Sequence, residues 1–306
     1  MAYQNVATPR FYVNVLEWLG EVGQITLATD HFRTLPVVLK EDTTPITAEN
    51  IPSGAMGDKN FLAVLGHVLG DSMDLFGVWD LEESIGSEGT ANIINGDGGE
   101  AEYNGFSIIS FNNAEAIISS GGSILFIIEG TQEFGSVIIG SYYDMPNAPN
   151  LSLTMSREYG GIKEFTTYNG SSMSNTMWSK PPKWGDLGAW ELGSGNPALS
   201  RSGRRSWDLK FSYMADSDLW GSNQSLSFLD VANNMEFDYN LLTDDNFFSQ
   251  VWHKTLGGTL PFIFQPDNSN NNPDQFAICK FKDSSLKADQ SAFNVYDISL
   301  SIEEVW

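Results

Sequence analysis

The texture of the chain from about Leu75 onward limits its fold more than any single motif does. Short apolar runs (LFGVWDL, YNGFSIISF, SILFIIEG, GSVIIGSYY, NLSLTMSREYG, KEFTTYNG) alternate with breaks such as GDGGE, SSGG and DMPNAP. Runs this short match strands joined by tight turns, not helices long enough to pack. SILFIIEG and SVIIG lack clean apolar/polar alternation, so these strands are expected in a sheet covered on both faces. Plentiful glycine, 29 residues, and 12% aromatics point the same way. The expected fold class is mainly β, a β-sandwich with a flanking helix and a second antiparallel sandwich.

The flanks supply the rest of the expected architecture. RFYVNVLEWLG (10–20) predicts a strand and then a short turn, with Phe11, Val13 and Val15 alternating against Arg10, Tyr12 and Asn14. TLPVVLK (34–40), with Pro36, suits an edge strand, and the polar, proline-broken 41–60 reads as a linker or long loop. NFLAVLGHVLG (60–70) places Leu62, Leu65 and Leu69 at helical spacing and predicts a short helix. SWDLKFSYM (206–214) puts Trp207, Leu209, Phe211 and Tyr213 on one face of a strand.

LLTDDNFFSQVWHKTLGG predicts a helix over 244–256. Thr243 would cap it, Asp244 and Asp245 suit its first turn, and Phe247/Val251 and Phe248/Trp252 form its buried stripe. His253 and Lys254 suit its negative end, and Gly257 its left-handed close. NVYDISLSIEEVW (294–306) is a half-buried strand with Tyr296, Ile298, Leu300 and Ile302 inward. A final strand needs partners made earlier, so residues 1–74 and 196–306 are expected to share one sandwich, with 75–195 inserted as the second. A plain tandem of two domains is the alternative.

Charge and motifs narrow the function classes. A formal net charge of -23 repels phosphates, so sequence-specific nucleic-acid binding is not expected. The single cysteine, Cys279, forbids an intrachain disulfide and reads as a core residue. MAYQNVATPR lacks the features of a secretory leader, so folding in the cytoplasm is expected. No apolar run approaches the roughly 20 residues that span a bilayer. His31, His67 and His253 show no metal-ligand spacing, and no nucleophile elbow, Walker loop or dinucleotide fingerprint is present.

Asp144, Glu158 and Glu164 could in principle flank a glycosidic bond, but 39 acidic residues guarantee accidental pairs. The chain is therefore expected to be no enzyme and to need no cofactor. INGDGGE (94–100) and DNSNNNPD (267–274) offer oxygen ligands without an EF-hand spacing, and Asx turns account for them equally well. Trp178, Trp184 and Trp190 could stack on sugar rings; a clasp between domains or against a neighbouring subunit is the preferred account. Arg201, Arg204 and Arg205, in RSGRR, are candidate contacts to acidic neighbours across subunits.

The C-terminal order WDLKFSYM, TDDNFFSQVWHKTLGG, PFIFQPD, FAICKFKD, NVYDISLSIEEVW resembles the end of tail proteins of double-stranded DNA bacteriophages, the distal tail and minor tail protein class. That class has a Trp-bearing strand before a helix, then PFxFxPD-like, ARF-like and NxYDxSLxxEE strands. The ARF-like position here reads Cys279-Lys280-Phe281, a departure. The resemblance covers about the last third of the chain, and RFYVNVLEW agrees with it. It implies a tail-tube-like β-sandwich that closes into a ring with copies of itself, usually hexameric, in the virion tail. Other tail proteins (tube, hub, fibres) would be its partners, and a second, lectin-like sandwich could face a host glycan. An inserted second domain departs from the commoner order. A carbohydrate-binding module is the competing function, and a glycoside hydrolase a more distant one.

Overall fold

The structure, a computed structural model, describes residues 5–27, 30–35, 40–42, 46–52, 55–56, 59–66, 75–79, 90–92, 101–103, 106–112, 122–128, 132–158, 162–176, 183–184, 187–188, 204–221, 244–272 and 275–305. Among them the fold is mainly β and its sheets are antiparallel, consistent with the sandwich class. One large sheet holds eleven strands. These are β1 (Arg10–Asn14), β2 (Lys59–Leu65), β3 (Ala101–Tyr103), β4 (Phe106–Asn112), β5 (Ser136–Asp144), β6 (Thr154–Glu158), β7 (Arg204–Ala215), β8 (Phe262–Gln265), β9 (Ala277–Phe281), β10 (Ala288–Ala292) and β11 (Val295–Glu304). Their order is β6-β7-β11-β9-β8-β1-β5-β2-β4-β3, with β10 paired to β11. A four-stranded sheet orders Ile46–Ile51, Gly122–Ile128, Leu75–Trp79 and Thr90–Asn92.

The termini do meet. β1 pairs with β8 through Phe11↔Phe264 and Val13↔Phe262, and β11 lies between β7 and β9. The division of the middle differs from expectation. β3, β4, β5 and β6 fall within 75–195, yet they run in the same sheet as the termini. β5 explains why: Ser136 to Tyr143 are all buried, so the strand needs neighbours on both sides and cover on both faces. β1 and β2 are those neighbours.

Several local expectations are corrected. The stretch expected as a short helix, 60–70, begins instead as β2, and 67–70 lie outside the described residues. Asn60 to Leu65 are all buried, so the strand shows no polar face and Leu62/Leu65 fell at helical spacing by accident. Residues 41–60 are not all loop, since Ile46–Ile51 forms a strand paired with Gly122–Ile128. The expected turn after β1 is a helix, α1 (Val15–Glu21). Asn14 caps it: Oδ1 accepts from Glu17 N at 3.1 Å, and Nδ2 donates back to Glu17 Oε2 at 3.3 Å. Gly140 lies opposite Asn14 on β5, where a Cβ would strike the Val13 carbonyl as the chain leaves the sheet.

Tyr213 does not share the face of Trp207, Leu209 and Phe211. A bulge between Phe211 and Met214 shifts the alternation, leaving Tyr213 80% exposed at φ 62° while Met214 takes the buried place. The helix expected over 244–256 is a six-residue π-helix, Phe248–His253. Just before it, Asn246 Oδ1 accepts from Ser249 N at 2.8 Å, while its N-cap residue, Phe247, makes no side-chain cap; Thr243 lies outside the described residues. Phe247, Val251 and Trp252 are buried as expected and Gly257 is left-handed, but Lys254 turns inward instead of toward solvent.

Period-two alternation sorts the core. Phe11, Val13, Tyr143, Trp207, Leu209, Phe211, Phe262, Phe264, Cys279, Phe281, Ile298, Leu300 and Ile302 form one cluster, sealed by Phe247 and Val251 before and within the π-helix. Leu62, Val64, Val137 and Ile139 form a second cluster with α1. Tyr12, Phe61, Ala63, Ile138, Tyr142, Ile263 and Ile278 form a third on the alternate positions of the same strands. Phe11 sits at the centre of a ring cluster, with Phe262, Phe264 and Phe247 centroids within 5.5 Å.

Candidate functional site

Among the described residues, one end of the large sheet combines exposed residues, basic side chains and a pocket. β6 is its last strand among the described residues and pairs on one side only, from Thr154↔Asp208 to Glu158↔Arg204. Its side chains are exposed except for half-buried Met155. The register sets Arg157 directly opposite Arg205. Met155, Ser156, Arg157, Arg205, Ser206 and Trp207 line a pocket of about 270 Å³. The Ser156 and Ser206 hydroxyls meet at 2.6 Å across the two strands.

Arg205 is held from inside. Its Nη2 donates to Glu304 Oε1 at 2.9 Å and to the Phe276 carbonyl at 2.6 Å, and Nε donates to Glu304 Oε2 at 3.2 Å. Its backbone N–H also donates to Glu304, and its guanidinium lies 5.4 Å over the Trp207 ring. The arginine group predicted as a subunit contact is thereby divided. Arg205 is an internal ion-pair partner, Arg204 is half-buried opposite Glu158, and Arg201 lies outside the described residues. The Trp207 indole Nε1, buried beside the same pocket, has no hydrogen-bond partner.

A second polar group crosses the core. Lys254 is fully buried, and its Nζ donates to Gln250 Oε1 at 2.8 Å, an oxygen that also accepts from Ser141 Oγ at 3.3 Å. Burial pulls its pKa down to about 7, against a smaller opposing pull from Asp245. Ser141 pairs with Asn60, whose buried amide makes no hydrogen bond. Burial and then the Lys254 charge lower the His253 pKa, while its ring packs on Trp18 at 5.5 Å. Near α1, burial raises the Glu17 carboxyl although Thr34 N–H and Oγ1 both donate to it.

The remaining candidates are dispersed. Asp144 is clamped by Arg10, with Nε–Oδ1 at 2.6 Å, while Glu158 sits on β6, with β7, β11, β9, β8 and β1 between. Glu164 is exposed on the hairpin of Ile162–Thr166 and Ser172–Thr176. In the 267–274 loop, Asp267 Oδ1 accepts from Ser269 N and Asn270 Oδ1 from Asn272 N, both Asx turns. Gln265 anchors that loop through the Asn270 carbonyl and Asn271 Oδ1, and Tyr12 OH donates to Gln265. Among the described residues no group of three or more His, Cys, Asp or Glu could hold a metal ion. Residues 94–100, His67, Trp178 and Trp190 lie outside them; Trp184 lies on the ladder Lys183–Trp184 with Leu187–Gly188. No described helix is long and apolar enough to cross a membrane. No protein-family model matches the chain, and no curated protein matches it in sequence.

Proposed function

We propose that this chain is a structural component of a phage virion tail, at the tip, baseplate hub or distal tail ring. It associates with copies of itself and docks the neighbouring tail proteins. The observation that carries this reading is the placement of the motif-bearing segments. β7, β11, β9 and β8 are neighbours in one block, β1 joins them, and Phe247 and Val251 of the helical segment seal it. The segments that resemble the tail-protein class thus form a single helix-flanked unit. Among the described residues the block ends in β6, whose side chains are mostly exposed, as on the strands through which sheets extend between chains. An acidic chain repeated around an axis would present a surface that a passing DNA strand does not stick to.

Purified protein should form closed rings in negative-stain images, with a matching mass in solution, and the chain should be found in purified particles. A chain that stays monomeric at high concentration and is missing from particles would end this reading.

A further inference from the structure

Large apolar side chains gather where β7, β10 and β11 meet at one end of the sheet. Tyr213 on the β7 bulge is 80% exposed, and Phe293 in the two-residue turn between β10 and β11 is 88% exposed. Leu151 is fully exposed next to the bulge, since Asn150 N donates to the Lys210 carbonyl at 2.7 Å and its Nδ2 donates to Ser212 Oγ at 2.9 Å. The backbone fixes these positions. Tyr213 has a φ of 62°, rare for a bulky residue, and Asp297 Oδ1 accepts from its N–H at 3.1 Å. The Asn294 carbonyl in the turn accepts from Asp216 N at 3.0 Å. Single apolar residues scattered over a surface are ordinary, but aromatic rings gathered at one place mark interfaces.

The charge around these rings specifies the partner. Asp289 and Asp297 are directly opposed across β10 and β11 and so share a face, an arrangement in which like charges repel. Among the described residues neither makes an ion pair. The stretches 211–221 and 288–297 add Asp216 and Asp218 and contain no Lys or Arg. A cation arriving beside Asp289 and Asp297 would relieve their repulsion, and the Tyr213 ring next to Asp297 suits a guanidinium or ammonium group. Phosphates, and with them nucleic acids and anionic lipids, are repelled. A second copy is a poor source of the cation, because its Arg10, Arg33, Lys59 and Arg205 are already bridged to Asp144, Glu21, Asp245 and Glu304.

We infer that this end of the sheet docks a protein other than this chain, one that presents Lys or Arg side chains around an apolar hollow. Tyr213 and Phe293 are the anchors, and Asp289 and Asp297 take the partner's cations. This rests on the tail-component reading and gives one neighbouring tail protein its surface chemistry.

The test follows the full-length chain into purified particles, with a photo-crosslinking residue in place of Phe293 and, as a control, of Tyr168, which is exposed on the separate hairpin of Ile162–Thr166 and Ser172–Thr176. Crosslinks from position 293 should reach a different protein on a segment bearing Lys or Arg, and those from position 168 should not reach that segment. Phe293→Ala and Asp289→Lys, each co-expressed in competition with wild type, should enter particles roughly tenfold less or lower still. Both positions are exposed, and lysine at 289 would face Asp297, so both variants should melt close to the wild-type temperature. If wild type enters particles and either variant matches it, or crosslinks from position 293 reach only copies of this chain or nothing, the inference falls while the tail reading stands. If wild type is missing from particles, both fall.

Discussion

Arg205 and Lys254 are both buried cations, 7% and 0% exposed, and the fold treats them in opposite ways. Arg205 meets a carboxylate at two oxygens, a carbonyl and an aromatic face. Lys254 meets one amide oxygen, already shared with Ser141. A guanidinium stays charged, so burying it requires that its charge be matched. An amine can give up its proton, and burial with one acceptor for three potential donors favours that outcome. The contrast separates a structural ion pair from a titratable weak point, and it places the weak point between π-helix and sheet.

The largest expected effect breaks the matched side. Arg205→Ala leaves Glu304 buried without its partner and should cost about 3–5 kcal/mol in chemical denaturation. Arg204→Ala, half-buried at the end of the strand, should stay within about 1 kcal/mol. Replacing Arg201, Arg204 and Arg205 together would therefore lower the stability of the monomer itself, so that a loss of assembly could not be assigned to a subunit contact. If Arg205→Ala proves as stable as wild type, the ion pair carries no structural weight.

The next effect sharpens the unmatched side. Folding lowers the Lys254 pKa from 10.5 to about 7, so between those values the unfolded chain holds a proton that the folded chain does not. Stability from this group accordingly rises with pH across that window, and the full penalty applies below about pH 7. Lys254→Met should raise the melting temperature most at pH 6, by the equivalent of a few kcal/mol, with the gain fading toward pH 10. A gain that does not vary with pH would show that Lys254 does not titrate in this range.

The smallest effect lies at the surface. Lys59 meets Asp245 at 2.9 Å, but the two side chains are 37% and 61% exposed. Lys59→Ala should change stability by less than about 1 kcal/mol, and less still at high salt. A larger loss would mean that Asp245 steadies the helix entry through this bridge.

The legible parts of the fold were those where a residue's neighbours in sequence decide its state. The runs 206–214 and 294–306 alternate because each strand buries one face, and both became strands of the large sheet. The doubly covered strand β2 was not legible, because burial on both faces erases the alternation that would identify it. The π-helix was visible as a helical apolar stripe, but not that Asn246, rather than Thr243, would place its Oδ1 on an N–H of the first turn, that of Ser249. Of the candidate site, the RSGRR arginines drew attention by charge alone. Their division into an internal and an outer group follows from pairing with Glu304 and Glu158, about 100 and 46 positions away in the chain. Met155, Arg157 and Trp207 gave no sign in the sequence that they share a pocket.

The sequence by itself determined that this protein is mainly β, strongly acidic, free of intrachain disulfides and helix-marked near its C-terminal end. Those properties follow from composition and from short-range periodicity. Only the tertiary structure decided that the middle of the chain shares a sheet with both termini, and that Arg205 is matched and Lys254 is not. Each of these depends on pairing between distant segments, where the desolvation of a charge or the cover on a strand is fixed by residues that no local pattern can name.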